Sequence, residues 1–241
     1  VLLDSAAVHE PWTFQVADVR VEVAGPIEAA APVRERWRAL PAPSARALTT
    51  IRYELGRAED GWTLRRDGEL LYTASVDDVL ALLELDVYRE VAHATATTPL
   101  HAALVARGGR AALLAGPSGA GKSSLALSLA AQGWAYLGDE HAFLDDALRA
   151  AGMPRGARVG EVGPVVLPAV VETAASQVAL VALLDAERAS GAEAAPVRAT
   201  EGAVRLLERM HRRPRAEDVH RLTRLAATVP VVRLGVEGVG A

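Results

Sequence analysis

The sequence predicts an α/β protein: a small α+β unit over residues 1–95, then a phosphate-loop domain over 96–241. Three observations lead there. Half of the 241 residues are hydrophobic (51%) and few are aromatic (4%), which suits a well-buried α/β core. From about residue 96, apolar strands alternate with helices, the order that builds a sheet flanked by helices. The stretch GPSGAGKSS, Gly116–Ser124, follows an apolar run and opens a helical one, the setting in which a glycine-rich loop cradles phosphate.

Bulk properties exclude several classes. A net charge of −4 offers no general field for nucleic acid. Without cysteine there is no disulfide framework, thiol chemistry or Cys-ligated zinc. The longest apolar region, residues 162–185, is interrupted by Pro164, Pro168, Glu172 and Gln177 and does not read as a membrane span. The N-terminus lacks a basic stretch followed by an apolar run and a cleavage site. A soluble cytoplasmic protein without nucleic-acid or membrane partners is expected.

Each element has its own signal. Residues 12–24 carry the alternation of a strand in FQVADVRVEV. Residues 28–40, rich in alanine and arginine, read as a helix stopped by PAPS. TTIRYEL, GWTLRR and ELLYTAS are three short strands joined by the turn segments GRAEDG and DG. Ser75, with Asp77 and Asp78 behind it, starts a helix over VDDVLALLELDVYREVAHA. No catalytic cluster shows in this first unit. Beyond it, LHAALVA and RAALLAG are strands joined through RGG, GKSSLALSLAAQG is a helix and WAYLGDE a strand. Residues 149–164 read as a loop and VALVALLD as a buried strand. TEGAVRLLERMHRR and RAEDVHRLTRLAATV read as helices, and VPVVRLGV as a closing strand. No internal repeat or long linker is visible.

Lys122 is the only lysine in a chain with 25 arginines. Arginine's wide planar fork is a poor substitute for a compact ammonium inside a tight loop. The solitary lysine therefore marks a position that demands one. Gly116, Pro117, Ser118, Gly119, Ala120, Gly121, Lys122, Ser123 and Ser124 form the expected nucleotide-binding set. Their backbone N–H groups and the helix dipole face phosphate oxygens, Lys122 the β- and γ-phosphates, and the Ser123 hydroxyl Mg²⁺. ATP and Mg²⁺ are the implied ligands.

Over residues 99–144 the chain resembles the kinase domain of the HPr serine kinase/phosphorylase family. It is still more similar to the shorter HPr-kinase-like proteins, some of which occur with modified-peptide biosynthesis. The residues that carry the resemblance are His101, 21 positions before Lys122, the loop itself, and the acidic pair Asp139-Glu140. It implies a mixed sheet and ATP- and Mg²⁺-dependent phosphorylation of a hydroxyl, serine or threonine of a peptide or small protein. In the family the acidic pair is two aspartates and the second accepts the proton. That role falls on Glu140, with Asp139 as a magnesium ligand or as the base itself. A histidine at the place of His101 lies near the phosphates in the family, although a core histidine is the alternative on residues alone. The family's best-known members are hexamers; for this chain the oligomeric state stays open, a homo-oligomer included.

Other readings stand beside these. Asp185 and Glu187, after VALVALLD, resemble the acidic end of a Walker B strand, which would make the chain an ATPase or a nucleotide-binding regulator. A kinase of a free small molecule is a third reading. Glu161 only loosely matches the family's downstream signature, so phosphorolysis is not expected. Arg155 and Arg158 read as substrate contacts or as surface. The basic run RMHRRPR, residues 209–215, reads as a solvated face in preference to a docking site.

Overall fold

The computed structural model describes residues 11–45, 47–155, 157–158, 165–185 and 194–235. It divides into two compact units, Val1–Ala96 and Thr97–Ala241.

The first unit contains β1 (Trp12–Val16), β2 (Val19–Ala24), α1 (Ile27–Arg36), β3 (Thr49–Ala58), β4 (Gly61–Arg66), β5 (Glu69–Ala74) and α2 (Val76–Ala94). The strands lie in the order β1-β2-β3-β4-β5, with β2 parallel to β3 and the other neighbours antiparallel. The single strand expected over residues 12–24 is instead a hairpin, with Val16 paired to Val19 around Ala17-Asp18. The alternation changes phase there: Phe14 and Val16 are buried on even positions, Val19, Val21 and Val23 on odd ones. A strand cannot change phase without a break, because its side chains alternate with period two. Helix α2 starts as its signals require, the Ser75 side chain accepting the Asp78 N–H. Its buried face carries Val79, Leu83, Val87 and Val91. Asp86 on that face is satisfied by Tyr53, Arg66 and Arg89.

The second unit contains β6 (Thr98–Arg107), β7 (Arg110–Ala115), α3 (Lys122–Ala131), β8 (Ala135–Gly138), β9 (His141–Leu144), β10 (Arg149–Gly152), β11 (Ala157–Arg158) and β12 (Val165–Val166). They are followed by β13 (Ser176–Asp185), β14 (Ala194–Pro196), α4 (Ala199–Leu207), α5 (Ala216–Thr228) and β15 (Val231–Gly235). Its main sheet has the order β10-β9-β6-β7-β13-β15-β14, with β8 also on β6. Strands β7, β13 and β15 are mutually parallel, and β6 is antiparallel to β7, β8 and β9. The sheet is therefore mixed, as expected. Strand β10 also pairs with the start of β13, closing one end of the sheet into a ring.

Alternation along the strands sorts the core into two layers. Leu100, Ala102 and Leu104 of β6 pack with Leu206 of α4 and with Leu222 and Leu225 of α5. Ala103 and Val105 lie on the opposite face with Ala126 of α3 and Tyr136 of β8. Two expectations are corrected. Residues 149–152, read as loop, form β10, a strand too short for a periodic signal. The helix expected through Arg213 ends at Leu207, because Met210 instead forms a β-bridge to Leu100.

Candidate active site

Strand β7 delivers the chain to Gly116, and α3 takes it up at Lys122. Between them Gly119 and Gly121 have φ of +78° and +86°, a left-handed conformation that a side chain would oppose. The first helical hydrogen bond runs from Leu125 N–H to the Gly121 carbonyl. Lys122 is buried, and its Nζ donates to the carbonyls of Gly116 (3.0 Å) and Pro117 (2.9 Å). The ammonium is thus folded onto its own loop, where a phosphate would offer it stronger acceptors. Ser123 is half-buried in the first helical turn, and Ser118 and Ser124 are exposed. A loop of this shape suits a nucleotide triphosphate.

Burial, and then the charge of Arg209, push Lys122 down to about 8, while Asp139 pulls the other way. His101 shares the strand parity of Ala103 and Val105, which places it on the α3 face of β6. Burial first, then the charges of Lys122, His211 and Arg209, lower it to about 4. It is a neutral imidazole at pH 7.

Asp139 and Glu140 form the two-residue connection between β8 and β9, but they face different partners. Glu140 is ion-paired with Arg155, whose carbonyl accepts the Tyr136 hydroxyl at 3.3 Å. Asp139 is only 7% exposed and, among the described residues, its Oδ1 has no hydrogen-bond partner. A buried carboxylate oxygen with no donor is costly unless a ligand satisfies it. Its charge acts on both Lys122 and His101. Mg²⁺ in phosphate sites is held by one or two protein oxygens together with phosphates and water. Ser123 and Asp139 suit that donor set. No group of three or more His, Asp or Glu side chains able to hold a metal occurs among the described residues.

The structure adds three residues, His141 and, from the basic run read as a solvated face, His211 and Arg209. His141 Nδ1 and His211 Nε2 are 2.9 Å apart, and His211 Nε2 lies 3.3 Å from the Glu140 carbonyl. His211 also stands edge-on to His101, with ring centroids 5.4 Å apart. Burial, and then Lys122, lower His211 to about 4; burial and the neighbouring imidazoles hold His141 well below its ordinary value. The third addition, Arg209, lines a small cavity with Gly116, Pro117 and Asp185. The run 209–215 is therefore not a solvated face. Arg212 is buried, Arg209 and His211 are half-buried, and only residues 213–215 are exposed. No periodic signal could have shown this, because the segment lies 70 residues from His141.

Asp185 ends β13 beside β7, and its carboxylate is 3.1 Å from Arg233. Glu161 and Glu187 lie outside the described residues, as does the side chain of Arg158.

No protein-family model and no curated protein matches this chain. Among solved structures it is similar to the HPr(Ser) kinase/phosphatase from Coxiella burnetii, at 15% identity and a TM-score of 0.37. The match covers 57% of this chain and 85% of that one. Likeness at that level leaves the functional reading to the chain's own residues. No described helix is long and apolar enough to cross a membrane.

Proposed function

We propose that the chain transfers the γ-phosphoryl group of ATP to a hydroxyl, that of serine or threonine in a peptide or small protein. The observation that carries this reading is Asp139: a buried carboxylate with an unsatisfied oxygen, within electrostatic reach of the loop lysine and a neutral histidine. A hydroxyl is a poor nucleophile until a neighbouring carboxylate accepts its proton. As the Oγ–Pγ bond forms, the bond from Pγ to the β-bridging oxygen breaks and its electron pair leaves with ADP. The hydroxyl proton passes to Asp139. Glu140, expected to be the base ahead of Asp139, is engaged by Arg155 and serves better as a wall of the acceptor site. Ser123, with phosphate oxygens and water, would hold Mg²⁺, which supplies charge neutralisation at the phosphates when bound. Lys122 exchanges its two carbonyl acceptors for phosphate oxygens. His101, uncharged, offers a hydrogen bond without competing for the anion.

Asp185 supports a second reading, a nucleotide-hydrolysing switch, because it ends the strand parallel to β7 and lines the same cavity as Gly116. Phosphoryl transfer from γ-labelled ATP to serine-containing peptides separates the two. Asp139→Asn is expected to lower peptide labelling by about 10²-fold or more, the ordinary worth of a positioned base. Glu140→Gln should cost less. Hydrolysis without peptide labelling, lost in Asp185→Asn, would establish the switch instead.

A further inference from the structure

Residues 209–211 return along β6 at the place that β7 vacates. Strand β7 pairs with β6 only from Ala102 onward, its own end Ala115 then passing into the phosphate loop. Ahead of that point the His101 N–H donates to the Arg209 carbonyl at 2.6 Å and the His211 N–H to the Pro99 carbonyl at 3.4 Å. Leu100 and Met210 form an antiparallel bridge between them. The segment is fastened from behind. Buried Arg212 donates to both Asp218 carboxylate oxygens, at 2.6 and 3.1 Å, and to the Thr97 carbonyl at 3.3 Å.

This places Arg209, with a side chain 27% exposed, on the wall of a small cavity that Gly116, Pro117 and Asp185 also line. Among the described residues its one ion pair is with Glu208 at 3.8 Å, near the limit of such a contact. Arg209 also raises the cost of keeping Lys122 charged. Two cations brought together in a partly buried site repel each other unless an anion lies between them. A guanidinium has the planar fork that matches phosphate oxygens, and an arginine aimed at a terminal phosphate stabilises the charge of the transferring group.

We propose that Arg209 is a second cation of the phosphate site, contacting the terminal phosphate of the bound triphosphate, with the Arg212–Asp218 pair holding it in place. This rests on the phosphate-loop reading of Gly116–Ser124. Calorimetric titration with Mg-ATP and with Mg-ADP tests it on the wild-type chain, Arg209→Gln, Arg209→Lys and Lys122→Met. Arg209→Gln should weaken ATP about tenfold or more while ADP changes less than about threefold. Arg209→Lys, which keeps the charge and loses the fork, should fall between. Lys122→Met should weaken both ligands. An unchanged ATP-to-ADP preference in Arg209→Gln, with binding lost in Lys122→Met, overturns the role of Arg209 and leaves the loop reading standing. Undiminished binding in Lys122→Met overturns the loop reading and the proposal with it. Should Arg209→Gln melt early, Arg209→Lys decides: a wild-type preference there refutes a contact through the fork.

Discussion

Replacing Asp218 by asparagine tests how firmly the segment carrying Arg209 and His211 is clamped. Asp218 is fully buried and accepts from Arg212 twice, from Arg215 N–H at 2.8 Å and from the Thr98 hydroxyl at 2.8 Å. Asparagine keeps the shape but removes the charge, and turns an acceptor into a donor facing a guanidinium. Breaking a buried pair by removing one partner costs about 3–5 kcal/mol, since the remaining charge is left uncompensated. At about 2–4 °C per kcal/mol for a domain of this size, the melt should fall by about 10 °C. Calorimetry or a near-ultraviolet circular dichroism melt reads it directly. The double replacement Arg212→Met with Asp218→Leu should recover part of that loss, because the orphaned Arg212 guanidinium is removed while the Arg215 N–H and the Thr98 hydroxyl still lose their acceptor. A single variant melting within about 2 °C of wild type would refute the reasoning. So would a double variant less stable than the single one.

His101, His141 and His211 are held neutral in the folded chain, below their ordinary value. The unfolded chain therefore binds more protons, so their contribution to stability is complete above about pH 6.5 and is lost as pH falls towards about 4; a melting temperature flat between pH 7.5 and 5 would contradict this. Burial pushes Asp218 up, but its hydrogen bonds from Arg212, Arg215 and Thr98 outweigh that and hold it below its ordinary value, adding a later loss at lower pH. Gly116→Ala would place a Cβ 2.5 Å from the Leu184 carbonyl oxygen and 3.3 Å from the Ala120 Cβ. It should cost about 1–3 kcal/mol and abolish ATP binding, whereas Gly109→Ala, with nothing within 4 Å, should leave titrated ATP affinity unchanged.

Most elements were legible because their signals are local. The Ser75 cap, the hairpin through Arg107–Arg110 and the glycine-rich turn before α3 each depend on residues a few positions apart. The phase change at Ala17-Asp18 was equally local, though the reading of one continuous strand passed over it. Strands of three or four residues, such as β10 and β14, carry too few positions to show a period, and their pairing is settled by neighbours far along the chain.

The sequence by itself determined the glycine-rich turn of Gly116–Ser124 and its one lysine, because a tight turn depends on the residues that make it. Only the tertiary structure decided that Asp139 is buried with its charge acting on Lys122, while Glu140 is tied to Arg155. It alone brought Arg209 to Lys122 and His211 to His141, and turned part of a basic run from surface into site wall. The physical reason is range. A turn is specified by the residues that make it, while the charge and burial of a side chain depend on whatever the sheet pairing places beside it.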